Sequence, residues 1–434
     1  MTFASHLIRF LPLSLFLAVM ATPVTAVTPS PTQILTAHEN GVPAARFFGQ
    51  SMASNGSVLA IGAPQFSGGG ATVAPGVVLL YQRAGGVWTF MQALQAPVPS
   101  NSDGFGHHLA FAGNQLLVSA PFSSVNGVVE RGAVHVYQPV ANVYTHLQTI
   151  DPGIALSLSD WFAFHSSADG GWLALGVPLR GALDPGQVQL YYQDPDNGQW
   201  IYHSLLNGTA NNGRFGIRVL MRGNRLLVAA TEEVSSGNNR GYVYEYLRSG
   251  AGAAATWAQV QRFRLNGTGI SVFGSALALS PNGNKLLVGA PFQTTPDGQT
   301  QVGTVVAFER TMGGSWTETA RIAPPSTAQA FNFGASVAFS GDQHALIGDI
   351  RERSSGLLTG GAHAFRDFTP NNWTRVTSWA RGPGVDSDFM GGAIIAIGNQ
   401  VLVSAPGIDV GASLNEGQVF VFDDALPLLR DGFE

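Results

Sequence analysis

One short pattern returns seven times along this chain of 434 residues, and it limits the possible folds more than any other property. The segment Leu59-Ala-Ile-Gly-Ala-Pro64 comes back as Leu116-Leu-Val-Ser-Ala-Pro121, Leu173-Ala-Leu-Gly-Val-Pro178 and Leu226-Leu-Val-Ala-Ala-Thr231. It appears again as Leu286-Leu-Val-Gly-Ala-Pro291, Ala345-Leu-Ile-Gly-Asp-Ile350 and Val401-Leu-Val-Ser-Ala-Pro406. Each copy follows a Phe-Gly pair or a relic of one, anchored at Gly49, Gly106, Ala163, Gly216, Gly274, Gly334 and Gly391. Successive anchors lie 57, 57, 53, 58, 60 and 57 residues apart. A period of this size, held over seven copies, belongs to solenoids and propellers.

Each copy reads as four strands. The first follows Phe-Gly and ends in a tight Gly/Asn turn such as Asn55-Gly56 or Gly113-Asn114, which suits a two-residue hairpin. The second is the repeated apolar segment, continuous because both of its faces are covered; a proline then stops pairing at its end. The third alternates after a glycine, as in Gly132-Ala-Val-His-Val-Tyr137, and the fourth begins near Trp88, Tyr144, Trp200, Trp257, Trp316 or Trp373. Composition agrees. The chain has 54 Gly and 24 Pro, and only 11% of its residues are charged, against roughly 25% in an average soluble domain. Long amphipathic helices do not fit that balance. The fold expected is all-β, a seven-bladed β-propeller of four-stranded antiparallel blades.

Closure is legible too. The seventh copy stops after its third strand, at Phe422, whereas Thr32-Gln-Ile-Leu-Thr-Ala37 precedes the first anchor and resembles the fourth-strand segment Met91-Gln-Ala-Leu-Gln-Ala96. This N-terminal strand is expected to complete blade seven and close the ring. An open solenoid would carry polar caps at its ends.

Phe-Gly, then Gly-Ala-Pro, then Gly-x-Val-x-Val-Tyr/Phe resembles the FG-GAP repeat, over about residues 33–422. The resemblance implies the seven-bladed propeller found at the head of integrin α chains and in many bacterial secreted proteins. It also implies recognition of partners through loops on one face. Integrin-like repeats often carry an Asp-x-Asp-x-Asp-Gly calcium loop between the first and second strands. Here those positions hold short turns such as Ser54-Asn55-Gly56-Ser57, without the several oxygen ligands that Ca²⁺ needs. The resemblance is therefore to the calcium-free variety, and no metal is expected. Asp194-Pro-Asp196-Asn197-Gly198 comes nearest to a calcium loop, but Leu205 stands where a bidentate Glu would be, so it reads as a turn.

Residues 1–26 read as a secretory signal peptide, with Arg9, an apolar stretch from Leu11 to Ala21 and small residues at Val24-Thr25-Ala26. Residues 27–422 form the propeller and 423–434 a tail ending Asp431-Gly-Phe-Glu434. A dozen apolar residues is too short to span a bilayer. The absence of cysteine rules out disulfides and Cys-ligated metals. A net charge of -5 without a basic run excludes a nucleic-acid binder.

Two columns of the repeat carry chemistry. Two residues after the anchor stand Ser51, His108, His165, Arg218, Ala276, Ser336 and Ala393, which places His108, His165 and Arg218 in adjacent blades near one mouth of the channel. They either hydrogen-bond between blades, as buried polar groups do, or hold an anionic group on an Arg218 clamp. Three residues before the anchor stand Asp103, Asp160 and Asp388. Carboxylate pairs can hydrolyse glycosides, but four blades lack the acid and Asp favours turns.

The function expected is a secreted or cell-surface, non-catalytic binding or adhesion scaffold. It would be monomeric, without a cofactor, and would recognise an extracellular protein or polysaccharide through loops of one face. Ligand contacts are assigned to His108, His165, Arg218, Asp103 and Asp160. The alternatives are an enzyme acting on extracellular glycans, with Asp103, Asp160 and His108 as its acid–base set, and a structural envelope component.

Overall fold

The structure is a computed structural model. It describes residues 29–423 apart from 38–40, 42–44, 66–74, 126–129, 153–159, 235–239, 266–269, 295–297, 312–313, 327–329, 355, 370, 381–386 and 411–413. The expected signal peptide and residues 424–434 of the tail lie outside the described residues, as do parts of the loops between second and third strands.

Seven four-stranded antiparallel sheets stand in a ring. Blade one runs Ser51–Ser54, Val58–Ala63, Val77–Ala84 and Val87–Leu94 from the channel outward, and the next five blades repeat that order. Blade seven takes three strands from the C-terminal end, Ile394–Ile397, Gln400–Ala405 and Gln418–Asp423. Its outer strand is Gln33–Leu35, which pairs antiparallel with the last of them, Gln33 opposite Val421 and Leu35 opposite Val419. The first and last strands of the chain thus lie side by side, and the expected closure is present. A single 3₁₀ turn, Gly252–Ala254, is the helical content among the described residues, and none of their helices is long and apolar enough to cross a membrane.

Proline placement sets strand length. Second strands followed by proline stop at the residue before it, as at Ala120 before Pro121 and Ala405 before Pro406. Pro lacks the N–H that the ladder needs. In blade four Thr231 replaces the proline, and the second and third strands lengthen to ten residues each, Arg225–Val234 and Arg240–Ser249. Blade six also lacks it, and a small hairpin, Arg353–Ser354 with Leu357–Leu358, forms there instead. The sequence reading did not anticipate that hairpin.

The second strands are buried over most of their length, Leu116 to Ala120 at 0% exposure for every apolar residue. Their faces feed seven apolar clusters, one at each blade–blade interface, including the closing interface where Leu35 and Val419 meet Ile61 and Tyr81. The inner backbones approach more closely still. A Cβ on Gly62 would strike the carbonyl oxygen of Gly106 in the next blade, and Gly176, Gly289 and Gly348 stand likewise against Gly216, Gly334 and Gly391. The glycine opening each third strand meets the next Phe-Gly backbone in the same way, as Gly186 meets Phe215.

On the outside, glutamines staple adjacent blades. Gln92 Nε2 donates to the Tyr144 carbonyl at 2.9 Å, and its Oε1 accepts the Tyr144 N–H at 2.9 Å. Gln33 with Trp88, Gln148 with Trp200 and Gln261 with Trp316 repeat the bond pair. Gln33 belongs to the closing strand, so its staple ties blade seven to blade one.

Gly176→Ala is expected to destabilise the protein by about 3 kcal/mol through forced separation of blades three and four. Chemical denaturation of the variant beside wild type checks this; an unchanged midpoint contradicts it.

Candidate functional site

Every Phe-Gly corner is a tight turn that delivers side chains to the channel. The residue before the Phe is left-handed in all seven blades: Phe47, Gly104, Trp161, Arg214, Val272, Asn332 and Phe389 have φ between +52° and +71°. Its carbonyl accepts the N–H three residues on, as from Gln50 to Phe47 and from His107 to Gly104. The next two residues then open toward the axis. Gln50, Ser51, His107, His108, Phe164, His165 and Arg218 line a cavity of about 310 Å³ that all seven blades enclose. Among the described residues no Asp or Glu lines it.

His108, His165 and Arg218 are brought together there as expected. The His108 and His165 rings lie against each other, tilted by 39° with centroids 3.7 Å apart. Both also bond between blades. The Ser166 N–H donates to His108 Nδ1 at 3.3 Å, and the Ser166 hydroxyl lies 3.0 Å from the same nitrogen. The Val219 N–H reaches His165 Nδ1 at 3.4 Å. A backbone N–H can only donate, so Nδ1 accepts and the proton sits on Nε2 in both rings. Ser51 and Ser336, in the same column, donate to the carbonyls of Gly106 and Gly391 at 2.7 Å. Inter-blade bonding therefore accounts for the serines and for one side of each histidine.

Arg218 departs from its column. Instead of reaching the next blade, its Nη1 donates to the Ile217 carbonyl at 2.9 Å. No carboxylate pairs with it among the described residues. Burial lowers its pKa to about 10, which leaves it charged at neutral pH. The histidines shift in the same direction but lose their charge. Desolvation, then the Arg218 charge, lowers His107 to about 4 and His108 to about 3, and His165 falls well below the ordinary value. Among the described residues, the channel at pH 7 holds one cation beside three neutral imidazoles.

The carboxylates do not join them. Asp103, 1% exposed, accepts the N–H groups of Gly76 at 3.2 Å and Phe105 at 3.0 Å, which ties blade two to blade one. Burial raises its pKa, opposed by those bonds. Asp160 pairs with Arg180 at 3.0 Å in a separate surface cavity of about 910 Å³. Asp388 is buried at 1% exposure and absent from the channel lining. Asp103 and Asp160 do not line the channel, so the acid–base set Asp103, Asp160 and His108 is not assembled there. Asp194 is likewise spent inside its own turn, accepting from Asp196 N–H and Asn197 Nδ2 at 2.9 Å. The larger cavity is lined by two acids, Asp160 and Asp184, and one cation, Arg180, which pairs with Asp160; the channel is lined by one cation and no acid among the described residues.

Two features escaped the sequence reading. His107 lies against Phe164 with centroids 4.4 Å apart, and Trp161 stacks on Phe164 at 5.0 Å. The mouth above the channel carries Phe47, Phe292 and Phe389. Aligned copies reveal both: Phe47, Trp161 and Phe389 share the column two before the anchor, and His107 stands one after it.

The fold is a seven-bladed β-propeller that carries the FG-GAP repeat at two places. The FG-GAP repeat is matched at residues 88–137 and 316–365, each span running from the outer strand of one blade through the third strand of the next. Similar solved structures include the periplasmic gluconolactonase of Pseudomonas aeruginosa, 16% identical, TM-score 0.52, covering 79% of this chain and 87% of that one. A Bacteroides fragilis protein described as a candidate 6-phosphogluconolactonase is 14% identical, TM-score 0.52, with 86% and 92% covered. A Lactobacillus plantarum protein is 15% identical, TM-score 0.52, with 77% and 85% covered. The chain matches no curated protein.

These neighbours correct the expectation of a non-catalytic adhesion scaffold and of no enzyme activity, since propellers of the same architecture carry lactonase names. The physical reason lies in the channel. The adhesion reading placed recognition on the loops, whereas the chemically unusual groups are inside the ring. At this identity the likeness carries the fold.

The channel histidines, with His135 and His344 at about 4, set an acid limit. Below pH 6.5 the unfolded chain takes up protons that these folded-state imidazoles refuse, so stability falls as pH drops from about 6.5 toward 4. Asp349, held up to about 8 by burial and by Glu352, binds one proton in the opposite sense and does not offset five histidines. Melting temperature should decline over that window, and less steeply in His108→Gln; equal slopes contradict the assignment.

Proposed function

We propose that this protein is a hydrolase of sugar lactones or similar cyclic esters, working in the central channel. The observation that carries the reading is the unneutralised Arg218 beside imidazoles held neutral, with their Nε2–H groups left to the cavity. A half-buried, desolvated cation without a carboxylate among the described residues is costly unless a ligand completes it. The names of the structural neighbours support the reaction class.

In this reading Arg218 orients an anionic or strongly polar end of the substrate. The Nε2–H groups of His108 and His165 donate to the carbonyl oxygen as it becomes an oxyanion. His107 takes the proton from the attacking water. Water oxygen bonds to the carbonyl carbon, the ring C–O bond breaks, and the departing alkoxide takes the proton from His107, leaving a hydroxy acid. A weakly basic imidazole suffices because a lactone is already reactive toward water. Export after cleavage near Ala26, and action as a monomer, belong to the same proposal; the leader pattern supports the first.

Acid release from glucono-δ-lactone by the purified chain tests it. Turnover should exceed the spontaneous rate, and Arg218→Gln should lower kcat/KM by about 10- to 100-fold, the loss of one charge-assisted bond. No acceleration, or equal rates in the variant, contradicts the reading.

A further inference from the structure

We infer that the channel mouth is a subsite for a monoanionic sugar acid, its carboxylate on Arg218 and the C–H face of its ring against a collar of Phe47, Phe292 and Phe389. This rests on the reading of the channel as the site but does not require hydrolysis. A cavity of about 410 Å³ at the mouth is lined by those three phenylalanines and shares Arg218, Gln50 and Ser275 with the channel below. Apolar walls with a few convergent polar groups are the ordinary make-up of a small-molecule site.

Charge selects the ligand. Arg218 is the single cation lining either cavity, and neither cavity is lined by an acid among the described residues. The neighbouring imidazoles have their protons fixed on Nε2 by backbone N–H bonds to Nδ1. They offer neutral donors, not a second charge. A carboxylate neutralises Arg218 and matches its planar fork; a phosphate dianion would leave one buried charge without a partner.

The collar selects the rest of the molecule. Phe47 and Phe389 occupy left-handed corners, at φ +59° and +54°, where blade two uses Gly104. The repeat's own geometry holds both rings at this corner, which is left-handed in every blade. Their electron-rich faces suit the positively polarised C–H groups of a pyranose. Gln50 places an amide on the same wall for ring hydroxyls.

Isothermal titration of the purified chain at pH 7.5 with D-glucuronate, D-glucose and glucose 6-phosphate tests the subsite, since none of these is a lactone. Glucuronate should bind at least 10-fold more tightly than either, and Arg218→Gln should erase its preference over glucose. Phe389→Gly should weaken glucuronate several-fold with no loss of melting temperature, because glycine relieves the left-handed corner. Glucose 6-phosphate binding as tightly as glucuronate, or a preference that survives Arg218→Gln, overturns the inference. A lower melting temperature in Phe389→Gly, or unchanged affinity, overturns the collar. Glucuronate binding without lactone turnover leaves the subsite standing and removes the hydrolase; turnover without glucuronate binding does the reverse.

Discussion

The ring depends on backbone meeting backbone. At each inner interface a glycine of one blade lies against the Phe-Gly corner of the next, Gly62 on Gly106 and Gly186 on Phe215 among them. Side chains would hold the blades apart at these points, and the apolar clusters that stabilise each interface would lose their contact. Close approach also brings the seven corners to one narrow axis. The features that make the Phe-Gly pattern so regular are thus the ones that build the channel: a left-handed residue, a buried aromatic and a left-handed glycine.

From that geometry the electrostatics of the channel follow. Residues two beyond the anchor face both the cavity and the neighbouring blade, so small or bonding side chains suit them. Ser51 and Ser336 bond across the interface, and His108 and His165 do so while leaving a second ring nitrogen to the cavity. Arg218 makes no such bond across. Its charge, in a channel lined by all seven blades and unmatched by a carboxylate among the described residues, helps to keep the three imidazoles neutral.

The fold was legible because repeat architectures write each structural demand seven times. A glycine against a neighbouring backbone or a proline ending a strand becomes visible as a column, and even the closing strand at Thr32–Ala37 could be matched to its equivalents. The site was legible only in part. The same columns brought out His108, His165 and Arg218, because an arginine among serines and alanines is anomalous. They misdirected for Asp103 and Asp160, which look alike in sequence but serve an interface bond and an ion pair. No column can tell a buried carboxylate bonded to backbone from one aimed at a ligand. His107 and the Phe47/Phe389 corner column were present in the alignment, yet their significance depends on which way the corner turns. Function was least legible, since loops and channel share one repeat and nothing in its spacing says which of them works.

The central claim is that the channel holds one cation, Arg218, among neutral imidazoles protonated on Nε2. Nitrogen chemical shifts of His107, His108 and His165 at pH 7 read this directly. The account predicts neutral rings for all three, with an acceptor Nδ1 in His108 and His165. An imidazolium signal from any of them, or a proton on Nδ1 of His108, would contradict it.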